Sequence, residues 1–197
     1  MLKKLAILIL ASGCIMTAKA DSVSLSSSAA VTTNNSGSAT QNLVGDIAWA
    51  APLSGSNWVS FANTGDTFDP GFVVVPNGTS ATFSQTFNLS GTVTDATLDV
   101  LADDTASVFV NGNQIFPSNF ANIGWLSSTE GMFGMSQIAP YLVDGTNTIS
   151  FVVSQTGGSS YGLDYSGVIS TPEPGSLMLL GSGLIGLVGF GRRKLLS

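Results

Sequence analysis

Residues 43–170 predict an all-β fold, an antiparallel β-sandwich. Three observations carry the prediction. Apolar residues recur at every second position in several short runs, turn-forming pairs separate the runs, and no amphipathic helix of ordinary length interrupts them. Strands of this length and spacing, each with one apolar face, are satisfied by packing two sheets face to face.

The elements follow in chain order. Residues 22–42, SVSLSSSAAVTTNNSGSATQN, are rich in Ser, Thr, Asn and Ala; they suggest a strand near Val23–Leu25 and then flexible chain, so 21–42 is set apart as an N-terminal segment. In the domain, Ala81, Phe83, Phe87 and Leu89 alternate with Thr82, Ser84, Thr86 and Asn88. Ala96, Leu98, Val100 and Ala102 alternate with Thr97 and Asp99, and Ile149, Phe151 and Val153 share one face of a later run. Turn signals stand between the runs at Pro76-Asn77-Gly78, Asn111-Gly112, Asp144-Gly145 and Gly157-Gly158. The stretch LDVLADDTASVFVNGNQIF reads as a strand, a tight turn at Asp103-Asp104-Thr105, a strand, a turn at Asn111-Gly112 and a short strand.

Val108-Phe109-Val110-Asn111-Gly112, followed downstream by Leu142, Gly145, Asn147, Ile149 and Phe151, resembles the galactose-binding-like jelly rolls. These occur in carbohydrate-binding modules and glycosidase accessory domains. The resemblance covers about residues 81–169 and implies a jelly-roll-like sandwich. It implies no particular ligand, because the matching residues build strands and turns while the ligands of such domains sit in variable loops.

Both chain ends read as targeting segments. MLKK is a positive start, LAILILASGCIMT an apolar stretch, and Ala18-Lys19-Ala20 a small-x-small site, so residues 1–20 predict a signal peptide cut by signal peptidase after Ala20. A rival reading takes Leu10-Ala11-Ser12-Gly13-Cys14 as a loose lipoprotein box. At the other end, residues 171–197 read TPEPGSLMLLGSGLIGLVGFGRRKLLS. From 175 to 191 no residue is charged, a run of about 26 Å as a helix, short against a bilayer core of about 30 Å but able to span it with snorkelling flanks. The basic residues that follow place the C-terminus in the cytoplasm. The alternative, a buried helix of a soluble domain, lacks a polar face.

Pro172-Glu173-Pro174, then this span, then Arg192-Arg193-Lys194 resembles the PEP-CTERM sorting signal of Gram-negative bacteria. That resemblance implies recognition by an exosortase-like membrane enzyme and cleavage near the Pro-Glu-Pro motif. It also implies export across the inner membrane, anchoring by the C-terminal helix before processing, and then residence at the cell surface or in a polysaccharide biofilm matrix. The two prolines keep the stretch extended and open to a protease.

Composition narrows the function further. All six Lys and Arg lie at the two ends, so residues 21–174 hold all twelve Asp and Glu and no basic residue, a formal charge of −12. Nucleic acid, phosphate and anionic lipid are disfavoured as partners of this segment. The one cysteine, Cys14, falls in the signal segment, so packing alone must hold the exported domain together. The absence of histidine removes His-based triads and His-ligated zinc.

Few residues are left for a site. Asp103-Asp104, with Asp99 or Glu130 nearby, could hold Ca²⁺ and resembles the calcium-dependent sugar site of PA14-type adhesins; the alternative is Asx-turn chemistry capping a hairpin. Asn63 to Asp69, NTGDTFD, is a second calcium candidate without complete EF-hand spacing, and otherwise a loop. Trp49, Trp58, Trp125, Tyr161 and Tyr165 could offer sugar platforms or fill a core; Trp125, in a loop-like stretch, is the expected exposed one, with Trp49 and Trp58 in packing roles. No pair of carboxylates is marked out for glycoside cleavage, and no enzyme is expected. The sequence therefore leads to an exported sandwich that binds extracellular polysaccharide noncovalently, with Ca²⁺ as a possible aid and no required cofactor. The competing reading is a structural matrix protein without a defined ligand.

Overall fold

The computed structural model describes residues 22–115, 120–121 and 129–171, with Gly181, Gly183 and Ile185. Side chains at 120–121 and 129–130 are outside that description. Ser22–Thr171 forms one compact unit, and it consists of two antiparallel sheets.

The first sheet has the order β2 (Gln41–Asn42), β3 (Val59–Ser60), β11 (Gly162–Ser170), β5 (Asp95–Asp103), β9 (Thr129–Phe133), and β1 (Ser22–Ser26) also pairs with β11. The second runs β4 (Ser80–Leu89), β10 (Gly145–Ser154), β6 (Thr105–Val110), β7 (Asn113–Gln114), with β8 (Phe120–Ala121) on β6. The only helical pieces among the described residues of this unit are Met135–Ile138 and the 3₁₀ turn Ala139–Tyr141.

The period-two reading decides the register. Ala81, Phe83, Phe87 and Leu89 of β4, Ala96, Leu98, Val100 and Ala102 of β5, and Ile149, Phe151 and Val153 of β10 are all buried in one apolar cluster. A slip of one residue would turn each set to solvent, so burial of one face pins the pairing of Phe83 with Phe151 and of Phe151 with Val108. Among the described buried polar side chains Ser60 Oγ is left without a hydrogen-bond partner, whereas the Gln85–Tyr165–Thr32 group is satisfied. Gln85 accepts from the Tyr165 hydroxyl at 3.0 Å, and that oxygen also lies 2.8 Å from Thr32 Oγ1.

Three expectations change. The strand near Val23–Leu25 exists as β1, but the chain after it is not a free linker: Thr33 exchanges backbone bonds with Ser84 at 2.9 and 2.8 Å, and Gln41–Asn42 pairs with β3. The compact unit therefore starts at Ser22 rather than Leu43. Asp103-Asp104 is not a hairpin turn, since β5 and β6 belong to different sheets; the chain passes there from one sheet to the other, through a cis Asp103–Asp104 peptide. Tyr161 and Tyr165 are fully buried core residues rather than sugar platforms, and burial pushes both phenols above their ordinary range.

Among the described residues no helix is long and apolar enough to cross a membrane. The signal segment 1–20, the motif residues Pro172, Glu173, Pro174, Arg192, Arg193 and Lys194, and nearly all of the expected span 175–191 lie outside the described residues, as does Trp125.

Candidate functional site

Three loops meet where the chain changes sheets. The β2–β3 loop brings Asp46 and Trp49, the β5–β6 corner brings Asp103 and Asp104, and the β10–β11 loop brings residues 155–160. Together they line an open cleft of about 650 Å³.

Local bonding holds each side chain. Asp46 turns its loop by accepting from Ala48 N at 2.9 Å through Oδ1, while its Oδ2 accepts from Ser160 Oγ at 3.1 Å. That second bond ties the β2–β3 loop to the β10–β11 loop. The Trp49 ring packs on Trp58, with centroids 4.3 Å apart, and its Nε1 donates to Asp103 Oδ2 at 2.8 Å. Gly162 makes room for this pair, because a Cβ there would sit 2.8 Å from Trp49 Cη2 and 3.2 Å from Trp58 Cε3. Asp104 Oδ2 accepts from Thr156 N at 2.5 Å. Gly157 and Gly158 follow at φ 105° and 82°, a left-handed path that suits glycine and lets the loop turn over the corner.

The electrostatics are one-sided. Asp103 is only 9 % exposed. Burial first, and then the charge and hydrogen bond of Asp104, push its carboxyl up to about 7; the Trp49 N–H opposes the shift and Asp46 adds to it. No basic residue exists anywhere in 22–171 to balance these acids.

The structure unites Asp103 and Asp104 and sets Asp99 apart from them, four residues up β5 and about 13 Å along the strand. Glu130 pairs with Leu101 on the neighbouring strand β9, with its side chain outside the description. Asp46 joins the Asp pair in the cleft. Among the described residues no group of three or more acidic, His or Cys side chains could hold a metal ion. Asn63–Asp69 is a loop stitched by its own bonds, Asn63 Nδ2 to Asp69 Oδ2 at 3.3 Å and Phe68 N to Asp66 Oδ1 at 2.9 Å. Trp58 is buried as expected, whereas Trp49 is half-buried and lines the cleft. The sequence held one signal for that role: Trp49 lies among Gly, Asp and Ala between strands, outside any alternating run.

Comparison with known proteins adds the following. Residues 170–194 match the PEP-CTERM protein-sorting motif. The chain carries that motif, which implies an exported protein, anchored transiently in the membrane and processed by an exosortase. No curated protein matches the chain. Among solved structures, it is similar to a family 35 carbohydrate-binding module from Clostridium thermocellum, at 14% identity and a TM-score of 0.44, over 74% of this chain and 97% of that one. It is also similar to an α-L-rhamnosidase from Streptomyces avermitilis complexed with L-rhamnose, at 20% identity and a TM-score of 0.45, over 69% of this chain but 12% of the rhamnosidase. A third likeness is to the CBM36-1 domain of a multidomain xylanase from the hindgut metagenome of Trinervitermes trinervoides, at 12% identity and a TM-score of 0.36, over 78% and 99% of the two chains. These likenesses assign no ligand to this chain.

Proposed function

We propose that this chain is an exported surface or matrix protein whose sandwich binds extracellular polysaccharide noncovalently in the cleft at the β5–β6 corner. The observation that carries the reading is a half-buried tryptophan, three carboxylates and loop hydroxyls lining one open cleft. An aromatic face with a few fixed polar groups is the equipment that sugar rings require. The cleft binds rather than cleaves. Asp103 Oδ2 accepts from Trp49 Nε1 and Asp104 Oδ2 from Thr156 N, so both carboxyls are engaged in holding the cleft rather than poised as an acid and a base. Residues 1–20 act as the signal peptide, and 175–191 hold the chain in the inner membrane of a Gram-negative host until processing. Ca²⁺ belongs to the same proposal: at Asp103–Asp104 it would complete its oxygen shell with water and sugar hydroxyls.

The test is retention of the full chain, in detergent, on gels containing the host's extracellular polysaccharide. Trp49→Ala should abolish retention while the protein still melts cooperatively. Undiminished retention of Trp49→Ala would remove the cleft as the site, and no retention of the wild type would favour a structural matrix protein. For sorting, Glu173→Ala should leave export intact and block processing, read as unchanged mass in a host with the sorting enzyme.

A further inference from the structure

We infer that the sugar taken by this cleft carries a protonated amine, as a deacetylated hexosamine does; this rests on the reading of the cleft as a sugar site. The charge pattern excludes the other classes first. With no basic residue in 22–171, an anionic sugar would enter the cleft against Asp46, Asp103 and Asp104 with nothing to neutralise it. A neutral sugar would be tolerated, but it would bring no positive charge to acids that share the cleft with no basic side chain of 22–171. An ammonium group supplies what the cleft lacks. Its hydrogen bonds to carboxylates are charge-assisted, and the face of Trp49 attracts a cation as well as a ring.

An organic cation suits the arrangement without needing the oxygen shell that Ca²⁺ would have to draw from water and sugar hydroxyls. The three carboxylates come from two separate loops and line one cleft, yet they form no metal-holding group. A sugar ring can rest on the tryptophan while its amine reaches an acid at the edge. Asp46 is the best placed to answer an amine, because its loop is already tied to Ser160 across the cleft and it is partly open to solvent. Asp103 is nine-tenths buried and engaged by Trp49, so it serves mainly to fix the indole. Burial and Asp104 resist its ionisation, and a nearby cation opposes that shift by its charge.

The experiment is calorimetry on the full chain in detergent at neutral pH and about 0.15 M salt, where long-range attraction is screened within about 8 Å. The probes are a glucosamine trimer, its N-acetylated counterpart and a glucose trimer. The amine trimer should bind at least about tenfold more tightly than the other two. Asp46→Asn keeps an oxygen for Ala48 N and should erase most of that preference, weakening the amine trimer far more than the acetylated one. Asp104→Asn should reduce the preference in the same direction, should Asp46→Asn fail to fold. Asp95→Asn, about 26 Å away at the other end of β5, should leave it intact. Equal binding of the amine and acetylated trimers, both lost in Trp49→Ala, would overturn the amine and leave the sugar cleft standing. An amine preference lowered as much by Asp95→Asn as by Asp46→Asn would reduce it to general attraction and overturn the inference. Binding of no trimer, with host polysaccharide retained by Trp49→Ala, would overturn the cleft reading and the inference together.

Discussion

Strand β6 has a different chemistry at each end. At its C-terminal end, Asn111 and Gly112 form the two-residue turn to β7, with φ 50° and 80° as a type I′ hairpin requires. Asn111 Nδ2 donates to Asn147 Oδ1 and to Tyr141 O, both at 2.8 Å, and its Oδ1 accepts from Thr148 N at 2.9 Å. Asn147 is buried and bonds Val143 N, Val143 O and Gly145 O as well. At the N-terminal end, Asp103 and Asp104 sit beside Asp46 with no base within the unit. The first end is a closed polar network that locks two strands. The second is a partly desolvated surplus of one charge at an open cleft. Amides supply donors and acceptors and can satisfy one another; ionised carboxylates find donors here too, but hydrogen bonds from neutral groups do not cancel their charge.

The largest expected effect tests the closed end. Asn147→Ala removes four hydrogen bonds and strands Val143 N, so it should cost on the order of 3 kcal/mol in chemical denaturation. At a temperature where the variant is folded, polysaccharide retention should be unchanged. Retention lost along with stability would show that the two ends of β6 are coupled.

Gly162→Ala tests the cleft wall next. The added methyl meets Trp49 and Trp58, so the tryptophan pair must shift, at about 1–3 kcal/mol. Retention should fall more steeply than stability does, because Trp49 is the element displaced. A variant that loses stability but keeps full retention would mean that the position of Trp49 is immaterial to binding.

The contrast between the ends of β6 also explains what was legible in the sequence. Asn111-Gly112 and the Gly145-x-Asn147-x-Ile149-x-Phe151 pattern are local: turn chemistry and alternation appear within a few residues, and the structure uses them as read. The corner was misread as a hairpin because two strands joined by a short polar link look the same whether they pair or part. Which one happens depends on β10 inserting beside β6 and β11 beside β5, both more than thirty residues away in sequence. The cleft was illegible for the same reason. Asp46 and Ser160 are 114 positions apart, and Trp49 and Asp103 54. Only the Asp pair stood out, and Asp46, the acid that joins it in the cleft, is more than fifty residues away in sequence.

A pH titration sharpens the electrostatic half of the comparison. The folded Asp103 carboxyl lies near 7, raised from 3.8, so the folded state holds its proton more tightly than the unfolded state does. The stability this gives is fully present below about pH 4 and is lost as pH rises through about 7. Thermal melts should therefore show a decline over that window. Asp103→Asn, which keeps an acceptor for Trp49 Nε1, should flatten it and be the more stable protein above pH 7. A wild-type decline that survives in Asp103→Asn would assign it to the general charge of the unit instead.

The smallest effect concerns Ca²⁺. Ten acids and no bases in 22–171 repel one another, and any cation that binds the folded form selectively stabilises it by mass action. At roughly five times its Kd this is about 1 kcal/mol, a rise in Tm of about 2–4 °C for a unit of this size. Simple salt also screens the repulsion, but without saturating, so the control is NaCl matched for ionic strength. Ca²⁺ at the corner should give a saturating rise that the matched salt does not, and Asp104→Asn should remove most of it. The Asn111 end offers no charge to a cation, so Asn111→Asp should leave the Ca²⁺ increment as it was while weakening the hairpin. A rise equal to that of matched NaCl would exclude a specific calcium site. The corner acids would then act only on what enters the cleft, through the amine contact inferred above.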